Sequence, residues 1–350
     1  MAPTRLLLHI GTAKTGTSTL QAFLRQNESA LAAVGVYYPP TPEPRMNHSV
    51  QANAAVRPPA FWPRVFKTSF PDPAPVQAQA DDFFADLRAR SSPDLTVLSS
   101  EYLAGFRVAK IYEFLDVCGA NDGTATAVCY VREPTQFWAS STSQRLKSSA
   151  RVQNPLQGLL DGYNVVAKLR HWEECIGRDR LIVRAFEPHQ LVGGDICGDF
   201  LGVLGGFRPL PEAATFDRPG DRNVASSAEA LIALQELREE WLGRNDHTQA
   251  ARELGRAIAR HAEGLPTTPA RFSAPVLRVI RDHYADDIAW LRSAYGLEFS
   301  TVEGENGDTE AEQANETLSG GRVRELLEQF DPTVLATLRE TAGSELGYLP

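Results

Sequence analysis

Leu6-Leu7-Leu8-His9-Ile10-Gly11-Thr12-Ala13-Lys14-Thr15-Gly16-Thr17-Ser18-Thr19-Leu20 is the stretch that decides the fold. Its apolar opening has the length of a buried strand. Gly11 ends that run, a short loop holding one Lys follows, and the pattern predicts a helix from near Thr17. Such a loop brings backbone amides, a helix N-terminus and an ammonium group to one point. All three favour an anion, and phosphate is the usual one. The loop is not the Walker form, which has four residues between its first Gly and the Gly-Lys pair. Here Lys14 precedes Gly16 and hydroxyl residues follow. The same pattern also fits an ordinary strand-to-helix turn, with Gly at the bend and Thr17 as the cap. Composition favours the anion loop. The chain has 30 Arg and only 5 Lys, and one of those few Lys stands mid-loop. A compact ammonium on a flexible stem suits a phosphate bridge that changes shape during a reaction.

The 350 residues can bury a large core, as one big domain with additions or as two domains. The net charge of −9 argues against a general nucleic-acid surface. An anion site must then be a local positive spot on an acidic body. Cys118, Cys129, Cys175 and Cys197 are scattered among apolar residues, with no metal-ligand spacing and no disulfide framework. They read as free thiols in a reducing compartment. The first strand begins too early to leave room for a signal peptide, and no apolar run is long enough to span a bilayer. A cytoplasmic protein is the expectation, reaching any membrane-bound acceptor from the cytoplasmic face.

Helical spacing of Leu20, Phe23, Leu24 and Leu31 predicts one amphipathic helix over 17–33. Val36-Tyr37-Tyr38 reads as a short strand stopped by prolines. Residues 39–79, rich in Pro and aromatics, read as an irregular excursion. Helices at 81–90, 108–118 and 162–176 alternate with strands at 95–98, 126–131 and 181–183. That alternation predicts an α/β domain with a central parallel sheet. From about 195 the pattern is mainly helical: 195–204, 226–242, 249–263 and 274–295. Residues 301–320 carry six acidic side chains and no basic one, and read as a flexible linker. The expected organisation is one domain over 1–300, the acidic linker at 301–320 and a short accessory helical segment at 321–350.

A second candidate anion element is Val131-Arg132-Glu133-Pro134, where a strand ends and a helix begins. Ligands of parallel α/β sheets collect beyond the carboxyl ends of the strands, so Arg132 belongs to the same crevice as Lys14. On the next helix Ser140, Gln144 and Lys147 fall at i, i+4 and i+7 and share one polar face. A solvated helix face, with Arg132 paired to a carboxylate, fits this pattern as well.

Lys14-Thr15-Gly16-Thr17-Ser18-Thr19-Leu20 resembles the 5′-phosphosulfate loop of sulfotransferases that use 3′-phosphoadenosine 5′-phosphosulfate (PAPS). Those enzymes hold the donor's 3′-phosphate with an Arg at a strand end and a Ser eight residues later, the spacing of Arg132 and Ser140. A third block, Tyr163, Leu169, Trp172, Gly177, Arg180 and Leu181 to Glu187, resembles the one that closes the core of bacterial sulfotransferase-like proteins. The likeness covers about residues 5–205, is weak over 206–300 and is absent beyond. It leans toward the carbohydrate sulfotransferase branch. It implies a P-loop-like three-layer α/β fold with a mainly helical C-terminal region. It also implies PAPS as sulfuryl donor, no metal, and a small-molecule or glycan acceptor.

The resemblance implies donor contacts from Lys14, Thr15, Gly16, Thr17, Ser18, Arg132 and Ser140. Arg222, in Asp221-Arg222-Asn223, would come from a later basic loop, although the Arg-Lys-Gly signature of the small-molecule branch is missing. Glu101 follows the strand at 95–98 and so sits at a carboxyl end of the sheet. Carbohydrate sulfotransferases place a catalytic Glu there, which makes Glu101 the first candidate base; helix capping is its bland alternative. His48, in Met46-Asn47-His48-Ser49, is the second candidate base. His9 reads as a core residue that orients the loop. Two other functions stay open: a nucleotide-dependent kinase, for which Lys14 is out of place, and a non-catalytic nucleotide-binding protein of the same fold.

Overall fold

The structure is a computed structural model and describes residues 5–41, 47–90, 95–121, 123–147, 152, 154–156, 163–220, 226–241, 249–300 and 308–347. The chain divides into two units. The first comprises Met1–Arg132, Asn164–Arg222 and Trp290–Phe299. The second comprises Glu133–Tyr163, Asn223–Ala289 and Ser300–Pro350.

The elements run in chain order as β1 (Leu6–Ile10), α1 (Thr17–Gln26), α2 (Glu28–Ala33), β2 (Val36–Tyr37), α3 (Ser49–Val56), α4 (Arg64–Ser69) and α5 (Ala74–Ala89). Next come β3 (Leu95–Ser100), α6 (Val108–Val117), β4 (Ala125–Val131), α7 (Pro134–Leu146), α8 (Val165–Ile176), β5 (Leu181–Ala185) and α9 (Ile196–Phe207). The helices α10 (Ala228–Trp241), α11 (Gln249–Ala262), α12 (Ala274–His283), α13 (Ala285–Tyr295), α14 (Asp308–Gly320), α15 (Val323–Leu326) and α16 (Pro332–Glu345) complete the chain.

The first unit is an α/β fold around a parallel sheet of order β2-β3-β1-β4-β5. β1 is buried at every position, as a central parallel strand covered on both faces must be. Leu7, Val97, Val128 and Tyr130 face one layer, where they pack with Leu20, Phe23 and Leu24 of α1 and with Phe200 and Leu204 of α9. Strand alternation turns the intervening residues to the opposite face, against which α3 and α8 pack. The expected central parallel sheet between helical layers is therefore present.

The strand order places a switch point between β1 and β4. The connection from β1 leads to β2 on one side of the sheet, and that from β4 leads to β5 on the other. A crevice opens at the carboxyl ends of such a strand pair. Ile10 pairs with Ser100 in register, so Gly11 leaves β1 directly beside Glu101.

Several expectations need correction. The helix over 17–33 is two helices, broken where the Asn27 amide donates to the carbonyls of Phe23 and Asp217. Residues 39–79 are largely helical rather than irregular. Pro58, Pro59, Pro63, Pro73 and Pro75 stand at helix starts, where a missing N–H costs nothing, and Trp62, Phe66 and Val76 anchor the segment against Val50, Ala54 and Ala80. The helix over 274–295 breaks at Tyr284.

In the second unit Glu133 caps α7, accepting from the backbone N–H groups of Thr135 and Gln136 at 2.7 and 3.0 Å. Trp138 is buried and donates to the Tyr284 hydroxyl, while Phe137 packs edge-on against Tyr163, so both aromatics are core. The stretch expected as a flexible linker is helical over Asp308–Gly320, because Ala314 and Leu318, one turn apart, are buried; residues 301–307 lie outside the described residues. Asp331 caps α16 through the N–H groups of Thr333 and Val334, and Leu335, Leu338 and Ala342 bury its inner face.

Candidate functional site: an anion loop at the β1–β4 switch point

The loop after β1 is tied by its own hydroxyls. Thr12 Oγ1 donates to the Tyr130 carbonyl on β4 at 2.7 Å. Thr15 Oγ1 donates to the Thr12 carbonyl at 2.8 Å, and Thr17 Oγ1 reaches the same carbonyl at 3.4 Å. The Thr15 and Thr17 side chains therefore turn inward. Ser18, by contrast, is exposed.

Two residues make the turn. Lys14 has φ 67° and is the one described non-Gly residue with positive φ; Gly16 has φ 72°. A Cβ on Gly16 would lie 2.9 Å from Cε2 of Phe186, so glycine answers both a conformational and a steric demand. Gly16 occupies the N-cap of α1, with no side-chain cap and no acidic residue in the first turn. The first amides of a helix have no carbonyl behind them within the helix. Uncapped, they leave a concentrated positive end beside the half-buried Lys14.

Arg132 follows β4 directly. Its Nη1 donates to the Lys14 carbonyl at 2.9 Å, and its guanidinium lies 5.5 Å from the centre of the Phe186 ring. The switch point thus carries two cations joined through the backbone of one. Phe186, which lies against both the Gly16 turn and Arg132, belongs to the third sequence block, where it was read as closing the core rather than as lining the loop.

Glu101 enters the same end of the sheet from β3. Its Cα is 3.4 Å from where a Cβ on Gly11 would stand, and its side chain is exposed. Glu101 is therefore positioned at the mouth of the loop and free of any capping role, since β3 leads into a turn rather than a capped helix.

His48 is not available as a base. It is buried; its Nδ1 accepts the Ser99 N–H at 3.1 Å and its Nε2 donates to the Pro39 carbonyl at 2.9 Å. Both ring nitrogens are thus occupied in the neutral form. Burial, the main cause, pushes its pKa down to about 3, with the Arg25 charge adding to it. The expected irregular loop around His48 is instead the start of α3, pinned to β3.

His9 is buried beneath the loop. Its Nδ1 lies 2.8 Å from Ser99 Oγ, which also accepts from the Gln21 amide of α1 at 3.1 Å. Its Nε2 has no hydrogen-bond partner, and the rings of Tyr130 and Phe200 stand edge-on at 6.1 Å. Burial lowers its pKa to about 3. The His9–Ser99–Gln21 connection joins β1, β3 and α1 under the loop and was not read from the sequence, because all three residues are distant in the chain.

Ser140 lies half-buried on α7 in the second unit, with Gln144 and Lys147 exposed further along that helix. Arg222 lies outside the described residues. Among the described residues no three His, Cys, Asp or Glu side chains gather where a metal could be held, and no helix is long and apolar enough to cross a membrane.

No protein-family model matches the chain, and no curated protein matches it. Among solved structures, the chain is similar to a sulfotransferase from Alicyclobacillus acidocaldarius at 16% identity and a TM-score of 0.37. The likeness covers 72% of this chain and 100% of that one. A likeness of that degree settles no activity, and the functional reading rests on the residues of this chain.

Proposed function

We propose that the chain is a sulfotransferase that takes a sulfuryl group from PAPS and places it on a hydroxyl or amine, with a carbohydrate or glycoconjugate as acceptor. The observation that carries this reading is the Arg132–Lys14 junction at the β1–β4 switch point. It joins the backbone of one cation to the guanidinium of the other, and an ammonium followed along the chain by a guanidinium suits a donor with two phosphates.

The residues present fit such a donor. The uncapped first turn of α1, the Lys14 ammonium and the glycine turn at Gly16 form a cradle for its 5′-phosphate. Arg132 carries a planar fork of the kind that pairs with phosphate oxygens, and it suits the 3′-phosphate. Ser140 and Arg222 are the further donor contacts that the resemblance implies. When bound, the donor supplies a sulfuryl group whose transfer forms a sulfur bond to the acceptor atom and breaks the bond from sulfur to the 5′-phosphate oxygen.

Lys14 and the first-turn amides stabilise the charge that grows on that leaving oxygen. Glu101, exposed beside Gly11, takes the acceptor proton as the new bond forms. The Thr12, Thr15 and Thr17 hydroxyls hold the loop in shape before the donor arrives, so little ordering remains to be done at the moment of reaction.

Thermal-shift titration tests the reading. Adenosine 3′,5′-bisphosphate should raise the melting temperature without added metal, and ATP with magnesium should do so less. Equal stabilisation by both, or a strict magnesium requirement, would overturn it in favour of a kinase-type site.

A further inference from the structure

Four large apolar side chains are prominently exposed among the described residues, and two of them lie together. Phe61 is 73% exposed and Val65 50% exposed, four residues apart around the start of α4. Their neighbours Trp62 and Phe66 point the other way, both at most 4% exposed, into a cluster with Val50, Ala54 and Val76. The segment is therefore clamped from beneath while Phe61 and Val65 face outward. The Phe66 ring also packs at a tilt against Tyr102, with 5.0 Å between ring centres.

The charge of this segment is of one sign. Residues 44–71 hold Arg45, Arg57, Arg64 and Lys67 and no carboxylate, in a chain of net charge −9. Arg64 and Lys67 are exposed. The backbone is prepared for a dry environment as well. The Trp62 indole donates to the Arg57 carbonyl at 2.8 Å, and the Lys67 ammonium to the Ala60 carbonyl at 2.6 Å. Burying those carbonyls unpaired would otherwise oppose insertion. Pro58 and Pro59 stiffen the approach to Phe61.

We propose that the Phe61–Lys67 segment docks the protein on an anionic phospholipid surface, with Phe61 and Val65 entering the interface and Arg64 and Lys67 among the headgroups. An exposed apolar pair flanked by two exposed cations is the chemistry such a surface recognises. Two apolar side chains are too few for the core of a stable protein interface, which covers roughly 800 Å² per partner. A twofold contact between copies would also set cation against cation. The assignment does not depend on sulfuryl transfer.

Co-sedimentation of the full chain with vesicles tests it. Wild type should bind mixed phosphatidylcholine–phosphatidylserine vesicles, bind pure phosphatidylcholine far less, and be released by high salt. Phe61→Ser should lower partitioning roughly ten-fold, and Arg64→Ala about five-fold, with unchanged melting temperatures. Val65→Ser is the second apolar variant should Phe61→Ser fold poorly. Failure to bind the mixed vesicles, or binding indifferent to both apolar variants, overturns the proposal. So does a concentration-dependent dimer in sedimentation velocity that either variant abolishes, which would assign the face to a second copy.

Discussion

The Arg132 guanidinium donates to the Lys14 carbonyl at 2.9 Å, so one cation of the switch point holds the backbone of the other. The consequence runs one way: removing Arg132 loosens the backbone that carries Lys14, whereas truncating the Lys14 side chain keeps the carbonyl that Arg132 holds. Substitutions must be compared across several readouts to separate the two.

Arg132→Ala should therefore do two things. Loss of a charge-assisted hydrogen bond to the loop should lower stability by about 1.5–3 kcal/mol, seen in denaturant unfolding. Loss of the fork should weaken adenosine 3′,5′-bisphosphate by about 2–5 kcal/mol, as for buried charge pairs at interfaces. An analogue without the 3′-phosphate should weaken by less in calorimetric titration. Equal weakening of both nucleotides would reduce Arg132 to a support for the loop.

Lys14→Ala should separate binding from chemistry. The leaving oxygen gains its charge only as the bond breaks, so the ammonium acts most on the transition state. Turnover should fall about 10²–10³-fold, the range for loss of one oxyanion donor, while donor affinity changes much less. Slow hydrolysis of PAPS to the bisphosphate is a sufficient assay. A loss of affinity that accounts for the whole loss of rate would assign Lys14 to ground-state binding.

Glu101→Gln keeps shape and removes basicity. With a sugar acceptor, turnover should fall by roughly 10²–10⁴ while bisphosphate affinity stays near wild type. His48→Gln is the paired control. It should change stability and leave the pH profile of turnover in place, because both imidazole nitrogens are committed to Ser99 and Pro39. A normal rate in Glu101→Gln would refute the assignment of the base.

The two buried histidines make the fold acid-sensitive. His9 and His48 are held near pKa 3 by burial, whereas an unfolded chain protonates them near the ordinary imidazole value of 6.5. The unfolded state therefore binds more protons between those values, so stability falls as pH drops from 6.5 toward 3. Each histidine should cost about 2 kcal/mol between pH 7 and pH 5. In His48→Gln the difference between unfolding free energies at those two pH values should shrink by about that amount. An unchanged difference would show that His48 is not buried neutral.

The sheet and the turn after β1 were legible because both are local. Leu6–Ile10 is uniformly apolar, Gly16 sits where the backbone turns left-handed, and Pro134 marks the first position of a helix after Arg132. The prolines of residues 39–79 misled because Pro starts helices as readily as it ends them, and only tertiary anchors such as Trp62 and Phe66 decide which. His48 misled because its burial depends on Ser99, 51 residues away. The acidic stretch hid a helix whose order comes from two small inward contacts, Ala314 and Leu318, rather than from its charge.

Lys14 keeps a left-handed backbone, a conformation in which a side chain with a Cβ is ill at ease by about 1 kcal/mol and glycine is not. At this position, then, the most comfortable residue for folding and the most useful one for charge are different residues. Drift to glycine would be rewarded by a sturdier protein and, under the proposed chemistry, an idle one. The lysine marks a compromise between durability and reactivity, legible in a single dihedral angle.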